Sequence, residues 1–292
     1  MCDAAWIEIR VKVGREVAEA VANFLLELGS PGLEVQEGAG RTTLKGYLRG
    51  NIEDQPEQLS RYLQSLEAMG LADGHEGPEL SLLGETDWLS HWRSRFHAFQ
   101  VGRKFLIKPS WEIVAHAPGQ QVIVIDPQMA FGTGEHITTQ FCLRALEEAV
   151  RKDDLVLDVG TGSGILSIAA VKLGAKRVLG LDIDPQAITT ARENARINGV
   201  SHRVDFSCSP LDHRVRSKSF HQVVANINSE ASLPLLSELR RVLKSKGHLI
   251  LSGFLAEEEV TLRRGLSESG LRLCRLERQG DWISALAQSQ GI

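Results

Sequence analysis

The chain has 292 residues, four cysteines and a formal net charge of −4. Its 42% apolar and 24% charged content is ordinary globular composition, which excludes collagen-like, mucin-like and wholly disordered chains. At ~100–200 residues per domain this length makes two domains or one large one, and the net charge argues against a protein whose main task is holding nucleic acid by its phosphates.

Residues 6–13 alternate strictly, with Ile7, Ile9, Val11 and Val13 on one face of a half-buried strand. Val17, Val21, Leu25 and Leu28 then fall at helical spacing, and Gly29-Ser30-Pro31-Gly32 stops the helix. Short strands follow at 33–36 and 42–48, joined through Gly38-Ala39-Gly40. A second helix carries Leu59, Leu63 and Leu66, and residues 79–83 supply a fourth strand. The order β-α-β-β-α-β is the ferredoxin-like pattern and predicts a small α+β domain over residues 1–86. Residues 1–100 hold 9 Lys+Arg and 16 Asp+Glu, a net −7 against +3 for the rest. An acidic front end attracts a basic partner and repels nucleic acid, so no direct nucleic-acid partner is expected. Trp88 and Trp92 sit four apart, sharing one face of a linker helix predicted over 87–100.

From residue 101 strands alternate with helices. Strands are predicted at 105–107, 122–126, 155–158, 177–182, 204–207, 223–226, 248–251, 271–276 and 282–287. Helices are predicted at 138–150, 164–173, 185–198, 230–243 and 257–269. Strands joined by helices of this length make a mostly parallel, doubly wound sheet over 101–292, with its last two strands as an antiparallel hairpin at the edge. Cys2, Cys142, Cys208 and Cys274 form no CxxC pair, so a zinc ribbon is not expected and free thiols in a reducing cytosol are the simpler reading. The start of the chain has neither a basic leader nor an apolar stretch. The uncharged run from Val159 to Val171 is broken by three glycines and falls short of the ~20 apolar residues of a membrane span. The expectation is a soluble, cytoplasmic protein with no membrane partner.

Asp158-Val159-Gly160-Thr161-Gly162-Ser163-Gly164 follows a buried strand and opens a helix. Glycines here turn the backbone sharply and let a ligand lie against main-chain atoms. Asp182 ends the next strand, where a carboxylate can accept hydrogen bonds from both hydroxyls of a ribose. A nucleoside-containing cofactor is therefore expected. The dinucleotide fingerprint needs a small sixth residue counted from Gly160, and Ile165 stands there, which opposes NAD. The segment from Asp126 to Thr139 is no phosphate loop, because no Gly-Lys-Ser/Thr follows; Thr138 and Thr139 stand where hydroxyls cap a helix start. His136 has no second His or Cys nearby, so no metal is expected. Asn226 falls at the carboxyl end of a predicted strand, where open α/β sheets bind ligands. Its amide can accept a hydrogen bond from an incoming N–H; otherwise it caps the next turn.

The GxGxG spacing with Asp158 two residues ahead resembles the class I S-adenosylmethionine (AdoMet)-dependent methyltransferases of Rossmann-like fold. More narrowly, the chain resembles the PrmA-type ribosomal protein methyltransferases, which modify large-subunit ribosomal protein L-eleven (L11). The resemblance is carried by residues 87–111, by Asp-Pro-x-Met-Ala-Phe-Gly-Thr-Gly-x-His-x-Thr-Thr at 126–139, and by Asp-Val-Gly-Thr-Gly-Ser-Gly-Ile-Leu at 158–166. Gly-Leu-Asp-Ile-Asp-Pro, Val-Ala-Asn-Ile and Leu-Ser-Gly-Phe-Leu complete it, and the FGTGxHxTT string is the specific part. It implies AdoMet as cofactor, with Thr139, Gly160, Gly162, Asp182 and Asn226 in contact with it. It also implies L11 as a basic protein substrate recognised by the ferredoxin-like first domain. The pattern departs at Asn228, which stands where an apolar residue is usual, beside the expected methyl-acceptor channel. The implied chemistry is in-line attack of an amine nitrogen on the sulfonium methyl, with Asn226 orienting the amine; His136 is a possible base or a structural histidine. The competing readings are a methyltransferase of the same fold acting on another amine, a nicotinamide-dependent oxidoreductase, and a non-catalytic AdoMet-binding protein.

Overall fold

The computed structural model describes residues 6–30, 33–38, 41–49, 55–68, 76–83, 97–126 and 134–290. The chain divides into two units, residues 1–96 and 97–292. The predicted linker segment up to residue 96, with Trp88 and Trp92, lies outside the described residues, as does 127–133 of the threonine string.

In the first unit the elements are β1 (Trp6–Gly14), α1 (Arg15–Glu27), β2 (Leu33–Glu37), β3 (Arg41–Arg49), α2 (Gln55–Ala68) and β4 (Glu76–Leu83). The sheet order is β2-β3-β1-β4, and every neighbouring pair is antiparallel. The alternation of β1 is what sets the core: Ile7, Ile9, Val11 and Val13 bury one face, with Val17, Val21 and Leu25 of α1 and Leu59, Leu63 and Leu66 of α2 packed in the same cluster. Burying each such side chain contributes about 1.5–3 kcal/mol.

The second unit opens with a three-stranded sheet of β5 (Phe99–Val101), β6 (Phe105–Lys108) and β7 (Gln121–Val124). The predicted linker helix does not run to residue 100, because Phe99–Val101 pairs with β6 instead. A three-residue strand has no periodicity to read, which is why the sequence hides it. The hairpin between β5 and β6 turns on Gly102 at a φ of +60°, seated against the Glu147 carboxylate, which accepts hydrogen bonds from the Arg103 and Lys104 amides.

The main sheet follows, with α3 (Ile137–Ala149), β8 (Leu155–Val159), α4 (Ile165–Lys172), β9 (Arg177–Asp182), α5 (Pro185–Ile197) and β10 (Val204–Cys208). It continues through β11 (Phe220–Asn226), α6 (Ser229–Val242), β12 (Leu243–Leu255), α7 (Glu259–Glu268), β13 (Leu271–Gln279) and β14 (Trp282–Ser289). The strand order is β10-β9-β8-β11-β12-β14-β13. The pairs from β10 to β12 are parallel, and β14 runs antiparallel between β12 and β13. The predicted closing hairpin is thus present, with its second strand inserted inward. Strand β12 starts earlier than its predicted 248–251, but its pairing with β11 jumps from Leu243 to His248, and Lys246 takes a left-handed φ of +62° between them. Both sheet faces are covered. Val156, Val224 and Ile250 join one core with α3 and α4, while Leu157, Val223, Ala225 and Leu251 join the other with α6 and α7. Apolar side chains on both faces explain the near-continuous apolar runs of the parallel strands.

Candidate functional site at the strand ends

Strand order reverses between β8 and β11, since β8 leads to β9 on one side and β11 lies on the other. Ligands of open α/β sheets bind outside the carboxyl ends of the strands at such a switch point. Gly160 and Asn226 flank it, with Asp182 one strand further.

The glycine loop is held in place by its neighbours. The Gly160 and Thr161 amides both donate to the Leu181 carbonyl, at 2.8 and 2.9 Å. Gly160 has a φ of +72°, and a Cβ there would stand 2.3 Å from the Ile227 side chain, so only glycine fits. Asn194 of α5 donates to the Ser163 carbonyl at 2.8 Å, tying the loop to a second helix.

Beneath the loop Asp158 is fully buried. Its Oδ2 accepts from the Thr161 and Ser167 hydroxyls, both at 2.7 Å, while Oδ1 has no hydrogen-bond partner. Burial pushes its carboxyl up to about 6; the two hydroxyls pull against that shift, and nearby Asp182 adds to it. The buried Cys142 thiol, raised by burial and by the Asp158 charge, is an inert neighbour. Thr161 and Ser167 are site residues that sequence reasoning missed.

Asp182 closes the other side. Its Oδ2 accepts from the Gly162 amide at 2.9 Å and its Oδ1 from the Asp184 amide at 3.0 Å. A carboxylate has about four lone-pair sites, so both oxygens retain capacity for further hydroxyl donors. Ile183, next in the chain, is an exposed apolar residue at 76%.

Asn226 and Thr139 meet across 87 residues of chain: the Asn226 Nδ2 donates to the Thr139 Oγ1 at 3.2 Å. That bond fixes the amide and leaves Oδ1 to accept from an incoming N–H. The structure therefore groups Gly160, Gly162 and Asp182 at the loop and Thr139 with Asn226 at the switch point.

Capping differs from expectation. The α3 cap is His136, whose Nδ1 lies 2.7 Å from the Thr138 hydroxyl and accepts from the Thr138 amide. Thr138 and Thr139 lie inside the first turn, so Thr139 is free to reach Asn226. The His136 ring also packs edge-on against Trp282, with centroids 5.0 Å apart. Its Nδ1 thus serves the helix cap, a structural task. Asn228, not Asn226, caps α6, accepting from the Ala231 amide at 3.0 Å. The cap accounts for a polar residue at 228.

A seven-stranded sheet of this order, a glycine loop after β8 and an acid at the end of β9 define a Rossmann-like methyltransferase that uses AdoMet. The model of one family, ribosomal protein L11 methyltransferase (PrmA), matches residues 5–290, and the chain belongs to that family. It is 38% identical over 303 residues to the ribosomal protein L11 methyltransferase of Geobacter sulfurreducens, covering 99% of this chain and 100% of the relative. That of Geobacter metallireducens is 38% identical over 302 residues, covering 98% and 99%. A crystal structure of the ribosomal protein L11 methylase from Lactobacillus delbrueckii subsp. bulgaricus superposes with a TM-score of 0.63 at 36% identity. It covers 67% of this chain and all of that one.

The residues present fit this cofactor. Asp182 can take the ribose hydroxyls, the glycine loop admits close approach, and exposed Ile183 offers an apolar face beside the ribose site.

Proposed function

We propose that this protein methylates amines of ribosomal protein L11, lysine side chains or the N-terminal amine. AdoMet, when bound, supplies a sulfonium methyl group open to in-line attack by nitrogen. Asp182 would hold the ribose, the loop at Gly160 and Gly162 would line the cofactor, and Thr139 with Asn226 would border its methionine end. Asn226 carries the reading: its amide is locked by Thr139, and the free Oδ1 accepts one N–H of the incoming amine while leaving the nitrogen lone pair for the methyl. A lysine ammonium has no such lone pair, and its unperturbed pKa is ~10.4. Desolvation at the strand ends and the cofactor's own positive charge both favour the neutral amine. Orientation by Asn226 then supplies part of the rate by proximity. The acidic first unit, net −7, draws in the basic substrate by long-range attraction.

The test is intact-mass spectrometry of ribosomal proteins from cells lacking the enzyme, incubated with this protein and AdoMet. Mass gains in whole methyl steps on L11, absent with Asn226→Ala, are expected. No gain on L11 despite AdoMet binding would overturn the substrate, and gains unaffected by Asn226→Ala would overturn the role of Asn226.

A further inference from the structure

At the opposite end of the main sheet, where β8, β9 and β10 begin, the surface has a different character. A cavity of about 460 Å³ is lined by Lys152, Lys176 and Arg203 together with Asp153, Leu173 and Gly174. Next to it, across the turn at 150–154, a second cavity of about 210 Å³ carries Arg151, Lys244 and Lys246 on its lining. The two are joined through Arg151-Lys152 and through the Lys176 amide, which donates to the Asp154 carbonyl. None of these six cations forms an ion pair with another described residue. The carboxylates lining the cavities are Asp153 and Asp154, and Asp154 is buried, accepting from the Arg151 amide and the Gln222 side chain. Lys246 also holds a left-handed φ of +62°, a conformation that glycine or asparagine adopts more readily.

We propose that this edge docks the phosphate backbone of RNA. Six cations face two carboxylates here, one of them buried, and that excess of positive charge is the electrostatic footprint of a polyanion site. No exposed large apolar residue and no Phe, Tyr or Trp lines either cavity. That argues against a protein partner, whose interface centres on apolar and aromatic anchors, and against a membrane, which needs an inserting apolar face. It also predicts contact with phosphates rather than stacking on bases, so binding shows little sequence preference. RNA is the polyanion that accompanies a ribosomal protein. The net charge of −4 speaks for the whole chain, whereas a phosphate backbone meets one edge of it.

Fluorescence anisotropy of a labelled single-stranded oligoribonucleotide of mixed sequence, titrated with the full chain, tests this. Affinity should fall as salt rises, with a log–log slope of about −0.7 for each phosphate contacted. Reversing three exposed cations together (Lys152→Glu, Lys176→Glu, Lys246→Glu) should weaken binding about tenfold or more and flatten the slope by about 2. Arg264→Glu, on α7, should leave it unchanged. Methyl transfer to free L11 should persist in the triple variant, because the cofactor residues lie at the other strand ends. No RNA binding by the wild-type protein, equal binding by the triple variant, or tighter binding to poly-glutamate or anionic vesicles than to RNA would overturn the proposal. Loss of methyl transfer in the wild-type protein bears on the acceptor chemistry alone.

Discussion

Asp182 and Asp158 are both strand-end carboxylates beside the glycine loop, yet their surroundings give them opposite duties. Asp182 keeps spare lone pairs at the strand end, so Asp182→Ala should weaken AdoMet binding by about 1.5–3 kcal/mol, the scale of hydrogen bonds to a charged group. Titration calorimetry checks it, and unchanged affinity would remove Asp182 from the ribose role. Asp158 is buried with one oxygen unpartnered, and its carboxyl is raised from 3.8 to about 6. The folded chain therefore binds this proton more tightly than the unfolded chain does. The stability this contributes is full below the unfolded value, declines as pH rises, and is gone above about 6. A shift of this size corresponds to about 3 kcal/mol. Asp158→Asn removes the titration, so wild-type stability minus variant stability, measured by urea unfolding without cofactor, should fall by about 2–3 kcal/mol between about pH 4 and about pH 7. A difference independent of pH would show that the Asp158 carboxyl is not raised on folding. Asp182 was legible because a strand-ending acid has one spacing from the glycines. The Asp158 cluster was not, because a hydroxyl's partner depends on loop closure and not on sequence distance.

Elements were legible where periodicity ran long enough. The alternation of β1, the leucines of α2 and the buried runs of β8, β9 and β11 all read directly. What escaped were short elements and side chains that replace a backbone partner. Asn198, the residue closing α5, accepts from the Val124 amide at 2.9 Å and donates to the Val124 carbonyl at 2.7 Å. One amide thus behaves as a neighbouring strand for the open edge of β7. Asn198→Ala leaves both Val124 groups without that partner, and the loss of part-buried hydrogen bonds should cost about 1–3 kcal/mol in chemical unfolding. Amide hydrogen exchange should rise at Val124 while Leu157 in β8 stays protected, since the two lie in different sheets; equal loss at both would make the effect global. The Asn226 and Asn228 pair shows the same limit. Two asparagines two residues apart look alike in sequence, yet one caps α6 and the other reaches Thr139. The choice is made by where helix α3 is placed, 87 residues earlier in the chain.

At the scale of the molecule, charge is divided: residues 1–96 carry a net −7 and residues 97–292 a net +3, values that the overall −4 conceals. Net charge steers association and does not set the fold. The acidic unit should therefore act on capture of a basic protein and leave the chemical step alone. Glu27, Glu57 and Glu79 are exposed in that unit. Replacing all three by lysine changes its charge by +6, from −7 to −1. Long-range attraction of this kind is screened over ~30 Å at 0.01 M salt but only ~8 Å at 0.15 M. The triple variant should show KM for L11 raised about tenfold at low salt, with the gap from wild type narrowing as salt increases. Its kcat and its AdoMet affinity should stay at wild-type values, because no cofactor residue is touched. Steady-state kinetics across a salt series separates the outcomes. An unchanged KM with unchanged salt dependence would mean that the substrate is held by local contacts and that the acidity serves solubility. A fall in kcat at saturating substrate would mean instead that the first unit helps to present the amine to Asn226.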